Sequence, residues 1–167
     1  MIFGRGPRLP LDVAVHVKPF GTLAVAELAD GGWAVVSTGA LLIADASGVR
    51  ARHPWHTVQH GRWDGALHQF TVTWVDGAQR PLALTTATDE VEAFATALRE
   101  RVQSSVVHTE TAQTATGALV RAQIRRGEDG SLFSQLTAQG ELVGDDDERR
   151  LIDALERRAR AAVGLPT

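Results

Sequence analysis

Between residues 23 and 85 the chain is cut every few positions by turn-forming pairs, and this spacing constrains the fold more than any single residue. "LAVAEL" stops at "ADGG" (29–32), "WAVVS" follows, and "ALLIAD" stops at "ASG" (46–48). "VRARHPW" leads on to Asp64-Gly65; "ALHQFTVTWV" runs to Asp76-Gly77, and "RPLALTT" comes after it. Each apolar run is too short for a stable helix. Asp-Gly and Gly-Gly between β-branched and aromatic runs are hairpin signals, because tight hairpin turns need residues that accept positive φ. The spacing predicts about six strands in an antiparallel meander.

After residue 85 the period changes. Thr86 or Thr88 is placed to cap a helix over about 88–104, with Asp89 and Glu90 where the helix dipole favours negative charge. Val91, Phe94, Ala95, Leu98 and Val102 recur at helical spacing and form one apolar stripe. A β-hairpin is expected from "GALVRAQIRR" (117–126), a turn over Gly127–Gly130, and "SLFSQLTA" (131–138). A last helix over about 147–163 would bury Leu151, Ile152, Leu155, Ala159 and Val163, and Gly164 and Pro166 would end it.

The most chemical stretch is "RHPWHTVQHGRWDG" (52–65), with three histidines and two tryptophans. A two-residue turn at Asp64-Gly65 would set Trp63 opposite Ala66 and Trp55 opposite Trp74. One face would then carry Trp55, Thr57, Trp63, His68, Phe70, Val72 and Trp74 into the core. The other would carry His56, Val58, His60, Arg62, Gln69, Thr71 and Thr73 toward water. His56 and His60 share that face but lie roughly 13 Å apart along a strand, too far to share one zinc ion comfortably. A strand, and no metal site, is the expectation; a bulge between Pro54 and Val58 would alter the parity.

Composition narrows the functional classes. The 167-residue chain has a net charge of −3 and no cysteine, which excludes disulfides and thiolate chemistry and leaves no global field for nucleic acid. No run approaches the ~20 apolar residues of a membrane span, and the first residues lack the apolar core of a secretory signal. A cytoplasmic location is therefore expected. Of the 17 basic residues only Lys18 is a lysine, a bias that fits a GC-rich genome. No nucleophile elbow, phosphate-binding loop, dinucleotide fingerprint or H-E-x-x-H motif is present, so no catalytic residue, cofactor or metal ligand is assigned.

Asp145, Asp146 and Asp147 suit the start of the last helix. Four of its arginines (Arg149, Arg150, Arg157 and Arg160) have an acid four positions earlier, which predicts neutralising pairs rather than a phosphate-binding face. Arg121, Arg125 and Arg126 end one strand; with Arg99 and Arg101 they are candidates for a modest basic patch.

"WAVVSTGALLIAD", "RHPWHTVQHGRWD", "FTVTW" and "FATALRERVQSSVV" together resemble the bacterial pleckstrin-homology-like (PH-like) domain family, in particular a group of actinobacterial proteins. The matching elements are Trp55-His56-Thr57-Val58, Trp63 and Arg99-Glu100-Arg101-Val102. The resemblance spans residues 23–107. It implies an α+β fold, a PH-like antiparallel split β-barrel or meander capped by an amphipathic helix. Residues 1–22 would be an N-terminal extension, and 108–167 a C-terminal β-hairpin and second helix packed on the same domain. Phosphoinositide-binding relatives hold the headgroup with bases around the first strand pair; "ELADGGW" (27–33) offers Glu27 and Asp30 instead.

The expected function is a non-catalytic interaction module for a protein or peptide partner. Arg121, Arg125, Arg126, His56, His60 and Arg62 are its candidate surface. The alternatives are a peripheral membrane or lipid-headgroup binder using the arginines, and a histidine-based metal protein or enzyme. A homo-oligomer is open; nucleic acid is not an expected partner.

Overall fold

A strand that is apolar on both sides has to be covered on both sides, and two such strands organise the first part of the molecule. They are "WAVVS" and "ALLIAD". The computed structural model describes residues 6–167, which divide into two units at the Gln103–Ser104 junction. Residues 1–5, the start of the expected N-terminal extension, lie outside the described residues.

The first unit begins with helix α1 (Leu11–Val17). A four-stranded meander follows: β1 (Thr22–Glu27), β2 (Trp33–Ser37), β3 (Ala40–Asp45) and β4 (Gly48–Pro54), in the order β1-β2-β3-β4. Then comes a three-stranded meander of β5 (Val58–Asp64), β6 (Gln69–Trp74) and β7 (Leu82–Thr85), in the order β5-β6-β7. An isolated antiparallel bridge between Leu28 and Thr86 links the backbone at the end of β1 to that at the end of β7. Backbone bonds from Ala29 N to Thr85 O and from Ala87 N to Glu27 O, each 2.9 Å, flank that bridge.

Among the described residues the first unit thus has seven strands where about six were expected, in two open sheets with no closed barrel. The break falls where Pro54 ends β4 and a 3-10 turn, Trp55–Thr57, leads into β5.

Helix α2 (Glu92–Ser105) has its predicted stripe facing the core. Phe94, Leu98 and Val102 pack with Leu41, Val58, Phe70, Val72 and Trp74 from both sheets. Phe70 and Phe94 meet edge to face, 5.3 Å between centroids, a geometry the ring quadrupoles favour. The helix starts four residues later than expected. Thr86 is buried, its hydroxyl donating to the Thr88 carbonyl at 2.8 Å, while Thr88 Oγ1 accepts from Glu90 N at 3.2 Å ahead of the helix.

The "N-terminal extension" contains a structural element. Val13 and Val17 of α1 pack on the far face of the four-stranded sheet, against Trp33, Val35, Ala40 and Leu42. That second cover explains why β2 and β3 lack polar alternation.

The second unit holds β8 (Val106–Gln113), β9 (Leu119–Arg126), β10 (Leu132–Gln139) and helix α3 (Asp146–Ala162). The sheet order is β10-β9-β8, so the expected hairpin is two strands of a three-stranded sheet. Leu155 and Ala159 pack α3 onto Val120, Ala122 and Ile124. Asp145 is the N-cap of α3, accepting from Glu148 N at 2.8 Å. The helix ion pairs form at spacing three rather than four: Arg149 with Asp146 (3.2 Å) and Arg150 with Asp147 (2.5 Å).

Candidate functional site

The histidine stretch folds around one carboxylate. Asp64 Oδ1 accepts from Ala66 N (3.0 Å) and Leu67 N (3.2 Å), which tightens a four-residue loop in place of the expected two-residue turn. His68 completes the loop at φ 50° and is exposed, not in the core. Pairing consequently slides by four residues, so Trp63 lies opposite Phe70. Because the slide is even, Trp63, Phe70, Val72 and Trp74 keep their common face.

A bulge between Val58 and His60 then moves Val58 to the core side, where it faces Trp74 and is fully buried. Trp55 is not in a strand. Its indole Nε1 donates to Ser37 O (3.0 Å) from the 3-10 turn.

The candidate surface residues divide between the units, with His56, His60 and Arg62 in the first and Arg121, Arg125 and Arg126 in the second. His60 and Arg62, paired with Thr73 and Thr71, are exposed on the face of β5 away from the core. His56 is half-buried in the 3-10 turn. Arg121 and Arg125 share a face of β9, roughly 13 Å apart by strand geometry. Arg125, however, is only 1% exposed, and burial pushes its guanidinium pKa down. Arg126 lies on the opposite face, exposed at the strand end.

What the fold does assemble is a cleft of about 400 Å³ between β5 and α2. β5 is the border strand of its sheet. It contributes His60, Gly61 and Trp63; α2 contributes Leu98, Arg99 and Val102. The floor is apolar, because Phe70 and Leu98 are each 2% exposed and Val102 8%. Gly61 makes this packing possible. A Cβ there would collide with the Phe70 ring and lie 2.9 Å from Leu98 Cδ2. An isolated glycine inside a strand pattern signals such close approach, a signal the sequence reading above did not use.

Charge is segregated across α2. Among the described residues no carboxylate lines the β5 cleft, whose lining includes Arg99. On the other flank of the helix, beside Leu23 and Ala24 of β1, a cleft of about 750 Å³ is lined by Asp89, Glu90, Glu92 and Glu100.

Among the described residues no group of three His, Asp or Glu side chains is placed to hold a metal ion, and no helix is long and apolar enough to cross a membrane. No family model matches the chain, and no curated protein is significantly similar to it.

Proposed function

We propose that the first unit is a PH-like peptide-docking module, which holds an extended segment of a partner protein along β5 and against α2. The PH-like reading rests on a four-stranded and a three-stranded meander followed by a helix whose apolar stripe packs on both. The observation that carries the function is the cleft itself: the border strand of a sheet beside an apolar floor of Phe70, Leu98 and Val102.

A border strand recruits an added strand through its backbone, and neighbouring pockets select the side chains. The module does no chemistry of its own. The β1–β2 turn, with Glu27 and Asp30, argues against an anionic lipid headgroup at the usual place.

The test is to pan a display library of random peptides against the full chain. Hydrogen exchange of the β5 amides is then measured with and without the selected peptides. Protection centred on residues 59–63 supports the assignment. Selected peptides that protect only other segments overturn it.

A further inference from the structure

We infer that the segment taken up by the β5 cleft is acidic; this rests on the docking role proposed above. Among the described residues the cleft carries no carboxylate, and its lining includes one permanent cation, Arg99.

The contrast across α2 gives this sign its force. Glu92 and Glu100, together with Asp89 and Glu90 ahead of the helix, line the opposite flank, where they set a negative field. A basic segment is drawn toward that flank, away from β5. An acidic one is steered to the β5 side, because complementary potential raises encounter rates and suppresses partners of the wrong sign. The chain as a whole is negative, with net charge −3. Selection for acid at one cleft is therefore a local property of that rim, not an effect of global charge.

The expected ligand pattern follows from the geometry. An apolar side chain seats on Phe70, Leu98 and Val102, and a carboxylate one or two positions away along the extended segment reaches Arg99. Successive side chains of an added strand alternate in direction, with a rise of about 3.3 Å per residue.

The experiment uses three probes on the full chain. These are peptides selected from the random library, the same peptides with each Glu and Asp changed to Gln and Asn, and vesicles of phosphatidylcholine with phosphatidylserine. Trp63 is the half-buried tryptophan, the other three being buried, so its fluorescence reports on the cleft. Selected peptides enriched in acid, a roughly fivefold or greater loss on neutralising them, and a similar loss with Arg99→Glu support the inference. Arg99 is exposed on a helix, so the variant should keep its melting temperature, and Arg50→Gln on β4, which lines neither cleft, should leave peptide affinity unchanged.

Peptides that protect β5 but bind equally well after neutralisation overturn the acidic partner while leaving the docking role intact. Vesicles that displace the peptide, and whose own binding Arg99→Glu abolishes, overturn the protein partner in favour of a membrane surface. A library that yields no peptide protecting β5 removes both.

Discussion

The His53 imidazole lies on the Trp74 indole, with ring centroids 4.4 Å apart and planes inclined at 40°. His53 sits on β4, paired with Leu41, whereas Trp74 ends β6, so this contact joins the two sheets of the first unit. The Trp74 Nε1 is held by the Arg80 carbonyl at 2.9 Å, which fixes the indole under the imidazole.

Burial disfavours the protonated ring and pushes the His53 pKa below its ordinary value. The unfolded chain therefore binds more protons than the folded one as pH falls through about 6.5. Stability from this group is complete above that pH, declines below it, and levels off once the lower folded pKa is passed. Chemical denaturation followed between about pH 8 and pH 5 should show the decline. His53→Phe, which keeps a ring on Trp74, should flatten it relative to the natural protein. Equal slopes for the two would remove His53 as the cause.

Gly61→Ala should destabilise the first unit by about 1–3 kcal/mol, the usual range for forcing one methyl into a packed core. The neighbours that must yield are Phe70 and Leu98, both fully enclosed. All four tryptophans lie between residues 33 and 74, so tryptophan fluorescence during denaturation reads this unit selectively. An unchanged midpoint would show that β5 and α2 do not approach as closely as the structure has them.

Within α1 two apolar residues should behave oppositely. Val17 is 1% exposed against the outer face of the four-stranded sheet; Leu11, at the start of the same helix, is 90% exposed. Val17→Ala should cost about 2 kcal/mol through lost burial and a residual cavity. Leu11→Ser should stay within about 0.5 kcal/mol of zero, as surface changes do. Comparable losses from both would mean that α1 turns a different face to the sheet.

The same pair shows where sequence reasoning reached its limit. The glycine and aspartate turns, and the stripes from Val91 to Val102 and from Leu151 to Val163, were legible because each is a local period. Helix α1 was not: seven residues give too few repeats, and Pro7, Pro10 and Pro19 read as a broken segment. Its trace lay instead in its target, since uninterrupted apolarity in "WAVVS" requires a second cover. Strand β8 was missed because "VVHTETAQ" puts threonines outward and His108, Glu110 and Ala112 inward, a pattern with little apolar contrast. The register around Trp63 depended on the two amides that Asp64 captures. The division of charge across α2 exists only once the helix is docked, when Arg99 and Glu100, adjacent in sequence, open onto different clefts.

Arg125 and Arg126, also neighbours in sequence, separate a structural arginine from a surface one. Arg125 is 1% exposed on β9 opposite Phe133, while Arg126 is exposed opposite Leu132. A buried guanidinium is held by partners whose loss is costly, so Arg125→Ala should destabilise the protein by about 2 kcal/mol or more. Arg126→Ala should fall within about 0.5 kcal/mol of zero. Far-UV circular dichroism through a denaturant titration measures both. The same variants bear on membrane attachment, because a patch built from Arg121, Arg125 and Arg126 would make vesicle binding fall with salt and with each neutralisation. The expected result is that neither variant changes retention on phosphatidylserine vesicles. An equal, salt-dependent loss for Arg125→Ala and Arg126→Ala, with stability intact, would place both guanidiniums at a surface and overturn the assignment of Arg125 to the interior.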